Sequence, residues 1–180
     1  MQRRALVGSI FAAATALAFI GWRELWFLTD DAFISFRYLS NWFDGRGLVW
    51  NPPPFLPVEG YTNFGWIGLL GLVWATTGIE PPQAANALSF ALGLGTLAFV
   101  LRFALRVPLP PACEPRPLAL AALVLLGVTR NRTFLAWLSS GLETSLFSAA
   151  VVGWATLMLA PLRARASARE AMPAALAAVA

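Results

Sequence analysis

The sequence predicts an all-α polytopic membrane protein, with about four transmembrane helices and interfacial or re-entrant helices in the first loop between them. Three observations carry this reading. Of the 180 residues, 58% are hydrophobic and 12% charged, about half the charged share of soluble domains. Long uncharged apolar runs recur along the chain, at residues 5–22, 63–79, 83–101 and 144–162. The basic residues are all arginine, without one lysine, and they gather at the ends of those runs. A net charge of +4 can mean nucleic acid, but arginines placed this way mark membrane topology instead.

What is missing narrows the chemistry. There is no histidine, which removes imidazole as base, nucleophile or ligand. The single cysteine, Cys113, excludes an intrachain disulfide and a thiol cluster. Acid–base work falls to Asp, Glu or Tyr, and any metal would be a hard, oxygen-bound divalent cation.

Each element then follows in order. A basic start with Arg3 and Arg4 precedes the apolar run 5–22, which reads as a signal anchor with its N-terminus in the cytoplasm. Thr29 is the expected N-cap of an amphipathic helix over about 30–44, with Asp30 and Asp31 in its first turn, where carboxylates suit the helix dipole. At about 100° per residue, Ala32, Phe36, Leu39 and Phe43 share one arc. Asp30, Arg37, Ser40, Asn41 and Asp44 share the opposite one, and Asp31 falls on the flank with Ser35 and Tyr38. Such a helix lies in the interface. Gly45 and Gly47 end it, and Asn51-Pro52-Pro53-Pro54 makes a stiff return. Residues 63–79 are at the lower edge of spanning length. A proline-rich linker, 108–117, separates the run 83–101 from one at 118–138, and the last ten residues read as the opening of a further apolar segment.

Arginine placement decides the topology. If residues 63–79 cross the bilayer, Arg102 and Arg106 fall outside, and so do Arg163, Arg165 and Arg169. If they are re-entrant or interfacial, both clusters fall inside, as the positive-inside rule asks. The expected spans are therefore 5–22, 83–101, 118–138 and 144–162, in an inner cell membrane. The first outer loop, 23–82, then shares one face with the loop around Glu143.

The candidate site lies on that face. Carboxylates at an interface serve as general base or hold a cation on a phosphate; helix capping is the plain alternative for Asp30, Asp31 and Glu143. Arg130 and Arg132 fall near the outer leaflet, against positive-inside, which points to an anionic partner such as a phosphate. Arg37 shares the arc of Asp30, and an ion pair is its plain alternative. Glu59 and Tyr61 close the loop, with Tyr61 placed to stack on a sugar or anchor in the interface.

Taken together, a short first span followed by DDAFISFRY, GLVWNPP, VEGYTNFGW and SGLETSLF resembles the N-terminal part of polytopic GT-C glycosyltransferases. The branch it resembles most contains the mycobacterial arabinofuranosyltransferases and related cell-envelope enzymes. The resemblance implies a transferase that takes a sugar from a polyprenyl-phosphate donor to a glycan, lipid or protein acceptor, among membrane lipids and without nucleic acid. It matches the family's acidic pair to Asp30 and Asp31 and a second-loop acid to Glu143. Arg37, Glu59, Tyr61, Arg130 and Arg132 become expected substrate contacts, and Asp31 and Glu143 the ligands of a divalent cation if one is bound. Of the pair, Asp30 is the expected base, since it lies on the water-facing arc. Family members carry many more spans, so the 180 residues are expected to be the N-terminal part of a larger protein. The alternatives are a transporter or flippase-like protein that binds a lipid-linked substrate, and a non-catalytic fragment.

Overall fold

Seven helices and no strand make up the described part of the chain. The computed structural model describes residues 1–58, 60–107 and 117–159. Glu59, most of the proline-rich linker with Cys113, residues 160–162 of the last expected span, and the arginines at 163, 165 and 169 lie outside the described residues.

The helices are α1 (Gln2–Glu24), α2 (Asp30–Phe43), α3 (Phe64–Thr77), α4 (Pro81–Ala104), α5 (Pro117–Arg130), α6 (Arg132–Leu138) and α7 (Thr144–Leu159). Two of them, α1 and α4, are long and apolar enough to cross a membrane; α5 and α6 make a third such element if the bent pair counts as one span. Only 17% of the most apolar 18-residue window of α1 is buried. A helix that is apolar all round yet so little covered fits a hydrocarbon solvent rather than water.

Local signals set the helix ends. Gly78, with φ +74°, closes α3 in the left-handed conformation that glycine adopts without steric cost. Three residues later Pro81 and Pro82 open α4, where their missing N–H groups cost nothing. The run 118–138 forms two helices bent by 65° rather than one straight span. The cause is Asn131, whose side-chain oxygen accepts from the Phe134 N–H at 3.0 Å. Its backbone N–H turns to Val128, three residues back. An asparagine that caps a new helix has ended the old one.

Two apolar cores result. In the first, α1, α4, α5 and α6 pack through Ala14, Ala18, Leu97, Leu101, Ala121, Leu125, Leu135 and Leu138. Alanines on α1 let backbones approach, as membrane helices require. The short α6 is keyed in by two leucines: a Cβ built on Gly21 of α1 would overlap Leu135, and one on Gly93 of α4 would overlap Leu138. The second core joins α2, α3 and the start of α4 through Ala32, Phe36, Leu39, Trp66, Ile67, Leu70, Ala84 and Ala85.

The keyed packing has a direct test. Gly93→Leu should destabilise by about 1–3 kcal/mol, the usual cost of overpacking. Gly95→Leu, two residues away where an added Cβ meets nothing within 4 Å, should cost much less. Thermal unfolding of the solubilised protein reads the difference, and equal shifts would contradict the keyed geometry.

Candidate active site

The site grows from the segment between α1 and α2. Residues 25–29 run alongside residues 139–140, beyond α6. The Ser139 hydroxyl donates to the Leu25 carbonyl at 2.7 Å. The Phe27 and Thr29 N–H groups donate to the Ser139 and Ser140 carbonyls at 3.3 and 3.0 Å. From the other side the Asn86 amide of α4 donates to the Phe27 carbonyl at 3.0 Å. Backbone groups that leave a helix need such partners, and these join two loops more than 100 residues apart in sequence.

That pairing places the start of α2. Thr29 is extended, and its hydroxyl accepts from the Ala32 N–H at 3.2 Å. Asp30 and Asp31 occupy the first turn, exposed, at the positive end of the helix dipole. Gly141 lies on Leu28 and Ala32 with φ +81°, a conformation and a closeness that exclude a side chain. Its carbonyl accepts from the buried Trp66 indole at 3.0 Å.

Glu143 follows two residues on. Its Oε2 accepts from the Asn63 Nδ2 at 3.1 Å, and the same Nδ2 lies 2.9 Å from the Ser35 hydroxyl as donor. Ser35 is 2% exposed and stands one turn beyond Asp31 on the same helix face. Asn63 occupies the N-cap position of α3 yet makes no side-chain cap bond. Its amide is used instead to tie Glu143 to α2.

The polar arc of α2 is not a bare solvent face. Asn41, expected in water, is buried at 6% exposure. Its amide donates to the Val49 and Trp50 carbonyls at 2.7 and 3.1 Å. Arg37, for which an ion pair with Asp30 was the plain expectation, donates through Nε to the Trp50 carbonyl at 3.0 Å. Its guanidinium sits 4.4 Å from the Trp50 ring centre, a cation–π distance. The loop after Gly47 folds back over this arc, which is why its polarity misleads. Phe43, expected on the apolar arc, is 43% exposed and stacks on Trp74 at 4.2 Å.

Tyr38 organises the loop's return. Its hydroxyl donates to the Val58 carbonyl and accepts from the Gly60 N–H, both at 2.7 Å. Tyr61 packs edge-on against Tyr38 at 4.7 Å and stacks on Phe64 at 6.3 Å, so it belongs to an aromatic group beside Asn63. Arg130 and Arg132 stand elsewhere. They line a cavity of ≈ 270 Å³ with Glu24, Gly21 and Leu135 at the end of α1, and Asp30, Asp31 and Glu143 are not among its walls.

No group of three or more His, Cys, Asp or Glu side chains able to hold a metal comes together among the described residues.

No protein-family model, curated protein or solved structure matches the chain.

Ser35, Asn63, Trp66 and Trp50 were not among the residues singled out from sequence; of these, Asn63 holds Glu143 and Trp50 holds Arg37. The Asn63 bridge predicts a particular pattern. Asn63→Ala should cost about 1–3 kcal/mol by leaving partly buried acceptors unmatched. Asn63→Asp should cost more at neutral pH, since it sets a second carboxylate against Glu143. Like charges raise a carboxyl pKa in the folded state, so the Asp variant should regain stability as pH falls. Thermal unfolding against pH measures this, and a flat difference from wild type would contradict the contact.

Proposed function

We propose that this chain is part of a membrane glycosyltransferase of GT-C type, transferring a sugar from a polyprenyl-phosphate donor to a cell-envelope acceptor. One observation carries the reading: the two acidic loops are one structure, joined by the Thr29–Ser140 backbone bond and by the Ser35–Asn63–Glu143 bridge. The motifs DDAFISFRY and SGLETSLF, more than 100 residues apart, meet at the end of the bundle where α1 finishes and α4 begins.

The chemistry asked of such a site is modest. A polyprenyl-phosphate sugar carries a good leaving group. As the acceptor oxygen bonds to the anomeric carbon, its proton passes to a carboxylate, and the bond to phosphate oxygen breaks with its electron pair leaving on the phosphate. Asp30 is the base we assign: it is exposed and stands off the helix face of Ser35 and the Asn63–Glu143 bridge. Asp31 and the anchored Glu143 border the acceptor. Arg37, over Trp50, supplies a cation for the phosphate, and Tyr61 an aromatic face for the sugar.

The same reading places four spans in an inner membrane, α1, α4, α5–α6 and α7, with the N-terminus in the cytoplasm and α2 and α3 at the outer interface. In its support, α3 has 14 residues, about 21 Å of helix against roughly 30 Å of hydrocarbon. Its start meets Glu143 through Asn63. Its end turns directly into α4, whose Asn86 binds Phe27. Both ends therefore stay at one end of the α1–α4 pair.

A second reading, a flippase-like protein, is favoured by the break at Asn131, since discontinuous helices line substrate sites in transporters. It differs in one product: no free polyprenyl phosphate is released.

Two measurements test the proposal. In the intact protein, Asp30→Asn should slow transfer about 10²–10⁴-fold while donor binding holds, because the amide keeps the cap and the volume. Near-normal turnover would remove Asp30 from the mechanism, and unreleased donor phosphate in the wild type would favour the flippase. In a Cys113→Ser background, cysteines at Asn63 and Glu80 should both label from the outer side; labelling of residue 80 from the cytoplasm alone would make α3 a span.

A further inference from the structure

At the opposite end of the molecule, the first turns of α1 meet the last turns of α4 and leave a groove of ≈ 590 Å³. Arg4 lines it from α1, and Arg102 and Arg106 line it from the end of α4. Beneath them the walls are apolar: Val7 and Phe11 on one side, Leu101 on the other. Arg3 and Arg4 line an adjoining hollow of ≈ 520 Å³ that shares Val7 and Leu105 with the groove. Among the described residues lining the two, there are four arginines and no carboxylate.

We propose that this groove binds one anionic phospholipid, its phosphate between Arg4 and Arg102 and an acyl chain along Val7 and Phe11. Three arguments converge. Arginines that only set topology need to stand on one side of the membrane; these come from helices almost 100 residues apart and converge on one hollow. The guanidinium fork matches phosphate oxygens, and the start of α1 adds the positive end of its dipole. The apolar lining then runs from Arg4 to Phe11, about 10 Å along the helix, inward from the charged rim as an acyl chain would. Basic pockets between transmembrane helices take phospholipid headgroups for these reasons. The proposal depends only on α1 and α4 crossing the membrane, not on the acidic loops or on which side the N-terminus faces.

The site can be tested with two kinds of variant. Arg4→Gln with Arg102→Gln removes charge. Gly8→Leu keeps every charge but fills the groove, since Gly8 lines it and a Cβ there meets nothing within 4 Å. Native mass spectrometry of the solubilised intact protein would be titrated with phosphatidylglycerol, phosphatidylcholine and glycerol phosphate. We expect one retained phosphatidylglycerol, little phosphatidylcholine, and weak competition by glycerol phosphate. The double arginine variant should lose roughly 30-fold in affinity, at about fivefold per arginine, and Gly8→Leu should lose a comparable amount. Arg23→Gln, at the far end of α1, should bind as wild type. Equal retention of both lipids would overturn the proposal. So would full competition by glycerol phosphate, which would make this a phosphate site without a lipid. Loss in the arginine variant with none in Gly8→Leu would overturn it too, as the mark of diffuse surface charge.

Discussion

The pairing of residues 25–29 with residues 139–140 is the constraint on which the rest of the structure depends. Leaving α1, the chain must satisfy backbone groups that no helix serves, beside an apolar bundle where water is scarce. Ser139, Ser140 and Asn86 supply those partners. Once they are in place Thr29 can cap α2, Gly141 must lie against Leu28 and Ala32, and Glu143 arrives beside Asn63. The two distant motifs are joined by serine and asparagine hydrogen bonds, not by attraction between charges.

This explains which parts were legible in the sequence. Helix ends were readable where the signal is local: Thr29 before two aspartates and the glycines after Phe43. Ser35 and Asn63 were not, because a lone polar residue reads as solvent-facing or capping until its partner is known, and Asn63's acceptors are 28 and 80 residues away. The arc argument failed at Asn41 for the same reason. Periodicity distinguishes polar from apolar faces, but the loop carrying Val49 and Trp50 returns over the polar face and buries it. The break at Asn131 did have a local signal, an asparagine between two arginines inside an apolar run. Reading the run as one span overrode it.

The bend at Asn131 also sets where the end of α6 goes. With α6 turned by 65° and keyed through Leu135 and Leu138 onto Gly21 and Gly93, Arg130 and Arg132 line a cavity with Glu24 at the end of α1. The same turn directs the end of α6 toward Leu25 and Thr29, so one asparagine cap brings two serines to the segment that leads into α2. The fold divides its side chains by height: carboxylates and aromatics at one end, an arginine-rimmed groove at the other, and apolar helices between.

Amide hydrogen exchange at Phe27 and Thr29 tests the loop pairing most directly. Both lie outside any helix, and both donate to residues 139 and 140. If the pairing holds, their amides should exchange as slowly as those in the middle of α4, because they open only when the two loops separate. Exchange at the rate of an open loop would contradict it, and with it the claim that the two acidic motifs form one site.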